Sequence, residues 1–307
     1  MSTSVPCLPD SLVVIERGWL SANNVVGLDG GVATMVDSGY VTHAAQTVDL
    51  VRHVLDGRRL ERLVNTHGHS DHIGCNAAVQ RAFGCRITVP ADIAPIIEAW
   101  DEDALLLSIT DQQCEPFRHD DTLAAGERLV FGGCEWAALA APGHDMHALM
   151  FHCEQHRLLI SGDALWRDGF GVQFPELLGS DPGLAATRAT LEAIARLPLD
   201  AVLPGHGAPF TEVDDALERA FGRLDAFAAD AERMARNAIR TCLSFSLMEC
   251  RSIALDALPS YLEEVSLYRD INRRYLRIEA GELANRLVRE LVQAGVARID
   301  HDMLHAS

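Results

Sequence analysis

The chain has 307 residues, 48% of them hydrophobic, and sets 26 basic side chains against 44 acidic ones for a formal charge of −18 at pH 7. That length accommodates one large or two ordinary domains with a sizeable core. Every basic residue is Arg, which excludes a Schiff-base lysine, a lysine general base and a P-loop lysine, and the acidic balance argues against general binding to nucleic acid or an anionic membrane, which needs clustered positive charge.

In chain order, residues 12–16, 24–28 and 32–37 are rich in β-branched residues and read as strands, the last two joined by a hairpin at Asp29-Gly30-Gly31. Residues 44–57 predict a helix with Val48, Leu50, Val51 and Leu55 on its apolar face. A short strand at 62–65, a helix at 73–83 ended by Gly84 and a strand at 86–89 follow, and then a meander of strands at 129–131, 135–140, 148–152 and 158–161. Asp181-Pro182 carries helix-start chemistry for a helix reaching about residue 196, and a strand at 200–203 stops at Pro204-Gly205. Paired strands interleaved with helices predict two packed sheets covered outside by helices.

Near Thr211 the strand signals give way to helical Ala/Arg/Glu/Leu patterns at about 214–240, 247–258, 260–278 and 282–293. In the last of these Leu283, Leu287, Val288 and Leu291 share a face and Gly295 stops the helix; residues 296–304 then fit a two-strand wing. A boundary is therefore expected here, with residues 1–211 forming one domain and 212–307 a mostly helical, winged-helix-like second one that caps the first or dimerises.

The eight Cys residues (7, 75, 85, 114, 134, 153, 242 and 250) form no CxxC pair and read as reduced, mostly buried thiols. The N-terminus lacks the basic start and apolar core of a signal peptide, and no apolar run approaches the roughly 18 residues of a membrane span. A cytoplasmic protein is the expectation.

The densest chemistry lies in Thr66-His67-Gly68-His69-Ser70-Asp71-His72, where four potential metal ligands fall between an expected strand and an expected helix. Gly68 is expected to relax the backbone so that alternate side chains converge. Imidazole and carboxylate together suit zinc, iron or manganese. Three further ligands follow strand-like runs, each directly after a glycine: Gly143-His144, Gly162-Asp163 and Gly205-His206. Five His and two Asp exceed what one tetrahedral ion takes and suit two ions sharing a carboxylate, with positions left for water. His147 and Cys75 lie close to these motifs, and a turn histidine and a buried helix thiol account for them equally well or better.

This set resembles the HxHxDH motif of the metallo-β-lactamase superfamily with its later His, Asp and His, at separations of 72, 19 and 43 residues after His72. The resemblance covers about residues 12–210. It implies an α+β, four-layer αββα sandwich with two divalent cations, Zn foremost and Fe or Mn as alternatives, at one edge of the sheets. His67, His69 and His144 would hold the first ion, Asp71, His72 and His206 the second, and Asp163 both. The implied reaction is hydrolysis: a metal-bridging hydroxide attacks a polarised carbonyl, and Asp71 orients it or relays a proton.

Among branches of the superfamily, glyoxalase II resembles this chain in its ligand set and helical extension but uses lysines toward glutathione, and there are none here. A winged-helix-tailed branch includes thioesterase-like enzymes and an endoribonuclease. Charge weighs against the latter, since residues 1–210 carry 13 Arg against 27 acids and residues 211–307 carry 13 Arg against 17 acids. Arg269, Arg273, Arg274 and Arg277 fall at helical spacing and fit a solvated, salt-bridged face. The expected function is a dinuclear hydrolase of a small ester, thioester or lactone, with no nucleic-acid or membrane partner and a tail that caps the pocket or forms a homodimer surface. The alternatives are an endoribonuclease or phosphodiesterase of the same fold and a catalytically idle metal-containing binding protein.

Overall fold

The computed structural model describes residues 8–307, so Cys7 lies outside the described residues. The chain forms an αββα sandwich extended by a mostly helical tail. The first sheet takes its strands in sequence order: β1 (Leu12–Ile15), β2 (Asn24–Asp29), β3 (Val32–Val36), β4 (Arg59–Val64), β5 (Arg86–Pro90) and β6 (Asp121–Leu123). It begins antiparallel and becomes parallel from β3 onward. The second sheet runs β11 (Ala201–Pro204), β10 (Leu158–Gly162), β9 (Leu149–Cys153), β8 (Cys134–Ala140) and β7 (Arg128–Phe131), antiparallel except for the parallel pair β10–β11.

Alternation along each strand sorts the core into layers. Val25, Val36 and Val64 meet Phe131, Trp136, Phe151 and Ile160 between the sheets, where the Phe131 and Trp136 rings stack at 5.1 Å. Their neighbours Val26, Met35 and Leu63 point the other way and pack under α1 (Ala44–Leu55) and, past the short turn α2 (Ser70–Ile73), α3 (Asn76–Phe83). Burial of each such aliphatic side chain contributes about 1.5–3 kcal/mol. Three short helices, α4 (Ala94–Ala99), α5 (Leu107–Thr110) and α6 (Phe174–Leu178), carry the connections around the open edge of the sandwich. Outside the second sheet, Met150, Leu159 and Val202 pack with Leu191 and Ile194 of α7 (Gly183–Ala195) and Leu217 and Leu224 of α8 (Val213–Ala229).

The same apolar cluster continues without a break into the tail, through Ile239 and Leu243 of α9 (Ala231–Cys250) and Leu283 and Leu287 of α12 (Ala280–Gln293). Between them lie α10 (Leu258–Glu264) and α11 (Ser266–Ile271). The helix expected over 214–240 is two helices, because Asp230 caps a new start by accepting from the Arg233 N–H at 2.9 Å. The expected helix at 247–258 stops at Arg251, whose φ of +69° ends the α-turns. Strand β12 (Ser252–Ala254) follows and joins β14 (Met303–Ala306) and β13 (Ala297–Asp300) in a three-stranded sheet that contains the expected wing. Of the four arginines expected on a salt-bridged face, Arg269 and Arg273 pair with Asp270 and Glu263 at 2.9 and 3.6 Å, whereas Arg274 donates to the Leu177 carbonyl at 3.2 Å. Among the described residues no helix is long and apolar enough to cross a membrane.

Candidate metal centre

Parallel pairing places the site. β3 and β4, like β10 and β11, run in the same direction and end at one edge of the sandwich. Asp37 follows β3, the His67–His72 segment follows β4, Asp163 follows β10 and His206 follows β11, while His144 enters from the β8–β9 loop. Backbone bonds tie these loops across the sheets: Asn23 N–H to Gly205 C=O at 2.7 Å, Ala22 N–H to Asp71 C=O at 3.0 Å and Leu149 N–H to Thr66 C=O at 2.8 Å.

All seven ligand residues expected from the sequence converge, in two groups. His67, His69 and His144 form one; Asp71, His72, Asp163 and His206 form the other, and within each group the potential ligand atoms lie within 4.8 Å of one another. In the first, His69 Nδ1 is 3.1 Å from His67 Nε2 and 2.8 Å from His144 Nε2. In the second, His206 Nε2 is 2.9 Å from Asp71 Oδ2, and His72 Nε2 is 3.3 Å from Asp163 Oδ1. Asp163 stands between them, since its Oδ2 faces His144 Nε2, also at 3.3 Å.

The donor set fits cations. His144 Nδ1 donates to the Val172 carbonyl, which leaves Nε2 as a bare lone pair turned toward two other imidazoles. His72 Nδ1 donates to Asp37 Oδ2 at 2.8 Å, and its buried Nε2 has no hydrogen-bond partner although two carboxylates face it. A positive charge between the groups satisfies both arrangements. Gly205 makes the approach possible: a Cβ there would stand 2.4 Å from Asp163 Oδ1 and 3.0 Å from His72 Cε1. Gly68, by contrast, has room for a Cβ against Ile93 and Leu105 and no positive φ, so convergence of the motif does not depend on its freedom.

Electrostatics follow from this crowding. Burial, with the neighbouring imidazoles of His72 and His69, holds His67 well below the usual histidine range. Burial and then His144 bring His69 down to about 4. Burial by itself lowers His72 as well, but the carboxylates of Asp163, Asp37 and Asp71 outweigh it and hold that imidazole well above its usual value. Burial works to raise Asp163 and Asp71, and their histidine neighbours, His72 and His206 foremost, reverse the direction and keep both carboxyls low. His67 and His69 are thus held toward the neutral form in which an imidazole ligates a cation.

Several functional contacts had no signal in the sequence. Asp37, at φ +55°, holds both His72 and Thr66, whose Oγ1 donates to Asp37 Oδ2 at 2.7 Å. Trp19 lies flat on the His206 ring, centroids 5.4 Å apart, with Trp166 edge-on to both. His147 is exposed at the rim of a second, smaller opening beside His69 and His144. Cys75 is buried, donates to the Tyr40 carbonyl at 3.0 Å and has its thiol pushed up to about 11 by burial, as expected of a structural helix-start cysteine.

A cavity of about 340 Å³ opens from the two groups. Its inner end is His69, Asp71, His144, Asp163 and His206; its walls are mainly apolar, with Leu105 and Phe174 from the sandwich and Phe245, Met248 and Leu291 from the tail.

Residues 17–206 match the model of the metallo-beta-lactamase superfamily. Hydroxyacylglutathione hydrolases are similar over shorter stretches. The one from Stenotrophomonas maltophilia is 32% identical over 168 residues, 53% of this chain and 55% of its own length, and the one from Rhizobium etli is 30% identical over 118 residues, 38% of this chain and 39% of its own length. The chain thus spans about half or less of these curated relatives. In three dimensions, a metallo-beta-lactamase family protein from Thermus thermophilus superposes with a TM-score of 0.53 at 19% identity, covering 96% of this chain and 98% of its own.

Proposed function

The chain belongs to the metallo-beta-lactamase superfamily, and from that premise we propose that it is a dinuclear, zinc-dependent hydrolase of a small acyl thioester, ester or lactone. The observation that carries the reading is the apolar cavity whose inner end is the two ligand groups. A polar, strongly basic groove would suit a phosphodiester backbone; here Arg240 is the only basic side chain other than histidine among the lining residues. The similarity to hydroxyacylglutathione hydrolases, whose name states an acylglutathione substrate, supports the same direction.

Cations held at the two groups would supply Lewis acidity, which can bring the pKa of a water from 15.7 to about 7 and polarise a carbonyl. The protein's own residues do the rest. His67, His69 and His144 would hold one ion and Asp71, His72 and His206 the other, with Asp163 offering an oxygen to each. Asp71, held ionised beside His72 and His206, accepts the proton of the attacking water at its carboxylate and returns it to the leaving thiol or alcohol. Trp19 and Trp166 hold the His206 ring in place and shield it from water. Helices α9 and α12 serve as the cap that gives the cavity its far wall.

The test is zinc-loaded protein against a panel of acyl thioesters, aryl esters and lactones, with single-stranded RNA alongside. Turnover of an acyl substrate that Asp163→Ala abolishes while the circular dichroism spectrum is retained supports the reading. No acyl turnover, or cleavage of RNA alone, overturns it.

A further inference from the structure

Beside the acyl cavity lies a second cleft of about 600 Å³, lined by Arg219, Arg223, Arg233, Arg236 and Arg240 with Asn237, Gly222, Phe227 and Glu290. Its arginines stand at i, i+4 on α8 and i, i+3, i+7 on α9, so each helix turns one basic ridge toward the same space. Five guanidinium groups against one carboxylate is the reverse of the balance in a chain of net charge −18.

Among the described residues four of the five arginines lack the ion pairs that some other surface arginines make, as Arg81 does with Glu115 and Arg86 with Asp121. Among the described residues no carboxylate forms an ion pair with Arg223, Arg233, Arg236 or Arg240; Arg219 alone reaches one, Asp168 at 3.4 Å. Arg223 and Arg240 instead both donate to one neutral acceptor, Asn237 Oδ1, at 3.2 and 3.3 Å. The Arg223 guanidinium lies 5.5 and 5.3 Å from the ring centres of Phe170 and Phe227, and burial followed by the charges of Arg240 and Arg233 lowers its pKa. Clustering like charges on a partly buried surface is unfavourable until an anion joins them.

Arg240 lines both the cleft and the acyl cavity, which makes the two spaces neighbours. We propose that the cleft binds the phosphate groups of a phosphorylated thiol, so that the substrate is a thioester whose acyl end enters the apolar cavity while its leaving group is anchored by Arg223, Arg233, Arg236 and Arg240. This inference rests on the acyl-hydrolase reading and narrows it. In the reaction the C–S bond breaks, water supplies the oxygen of the new carboxylate, and the thiolate leaves with a proton returned by Asp71. A long polyanion such as RNA is disfavoured by the net charge of −18, because the basic groups are confined to this one cleft on two helices.

The experiment compares octanoyl-coenzyme A with the phosphate-free octanoyl-N-acetylcysteamine thioester on zinc-loaded wild type and on the double variant Arg233→Gln/Arg236→Gln, with Arg81→Gln as a distant control. The wild type is expected to have a KM for the phosphorylated thioester about tenfold or more below that for the other. The double variant loses most of that advantage through KM with kcat nearly preserved, and the control keeps it. Equal KM values in the wild type, or an advantage that survives in the double variant, overturn the inference and leave the acyl-hydrolase reading standing. If neither thioester is hydrolysed while an ester or lactone is, this inference is overturned and the acyl-hydrolase reading stands; if no acyl substrate is hydrolysed, that reading falls and the cleft is judged by calorimetry with adenosine 3′,5′-bisphosphate: binding lost in the double variant supports an anion site, and no binding to the wild type overturns it. Arginine-dependent cleavage of single-stranded RNA would likewise overturn it.

Discussion

Asp37 and His72 are 35 residues apart in sequence and joined at 2.8 Å, the carboxylate accepting from His72 Nδ1 and so turning Nε2 toward Asp71 and Asp163. Both side chains are fully enclosed, and the aspartate reaches its partner from a left-handed backbone position at φ +55°. Strain of that kind persists where surrounding structure over-determines it. Here Asp37 also accepts from the Thr66 N–H at 2.9 Å and the Thr66 hydroxyl at 2.7 Å. Asp37→Asn is expected to weaken metal binding at the second group by about 10–100-fold, the usual effect of losing the partner that orients a ligating histidine. Competition with a chromophoric chelator measures it, and wild-type affinity would show that Asp37 does not orient His72.

How much of this was legible in the sequence depends on distance along the chain. The seven candidate ligand residues stood out because four share one six-residue stretch and the others each follow a strand-like run and a glycine. Asp37 was hidden, since an Asp closing an expected strand at 32–37 carries no mark of its partner until the fold brings His72 to it. Helix spacing also misdirected attention. Arg269, Arg273, Arg274 and Arg277 were conspicuous, yet Arg269 and Arg273 are paired on the surface, while Arg233, Arg236 and Arg240 matter only because α9 folds back along α8 at Asp230. The break itself was invisible because apolar periodicity runs through it, and one capping hydrogen bond decided it.

Acid should unfold the metal-free protein by way of its histidines. His69 has a folded value of about 4 against 6.5 for the free side chain. Between those values the unfolded chain binds more protons than the folded one, so stability falls as pH drops through that window. At 1.36 kcal/mol per unit the loss from His69 alone is on the order of 3 kcal/mol, and His67 adds in the same direction. His72 has the opposite sign, but its contribution is fully present below 6.5 and is lost only as pH rises through its elevated folded value, so it does not cancel the effect. Urea unfolding of chelator-treated protein at pH 4.5 and 6.5 measures this, and equal midpoints would contradict it.

The tail should set acyl-chain preference. Phe245 lines the cavity from α9 and packs edge-on against Tyr40, ring centres 5.2 Å apart. Phe245→Ala lengthens the apolar space and is expected to move the preferred acyl chain to longer homologues, at about fourfold in kcat/KM per added methylene accommodated, the equivalent of about 0.8 kcal/mol. The ring is only half-buried, so the stability cost should be about 2 kcal/mol, below that of a core Phe→Ala. A chain-length profile identical to that of the wild type would show that α9 does not wall the acyl site.

Two glycines beside the ligands should respond in opposite ways to one methyl group. In Gly205→Ala the new Cβ falls 2.4 Å from Asp163 Oδ1 and 3.0 Å from His72 Cε1. Neither neighbour can retreat easily, because His72 is fixed through Nδ1 by Asp37 and Asp163 is tied through Oδ1 to the Trp166 indole N–H at 3.2 Å. The second ion should be lost and hydrolysis reduced at least about a hundredfold, as expected when catalytic groups shift by about 1 Å. In Gly68→Ala the Cβ meets only Ile93 Cδ1 at 3.4 Å and Leu105 Cδ2 at 3.5 Å, with no positive φ to oppose it. That variant should keep both ions and nearly all its stability, although Gly68 lies inside the ligand motif and Gly205 outside it. Metal-to-protein ratios by elemental analysis, with thermal melts of both proteins, decide the matter: two ions retained in Gly205→Ala, or an ion lost in Gly68→Ala, would show that the close approach at Gly205 is not what shapes the centre.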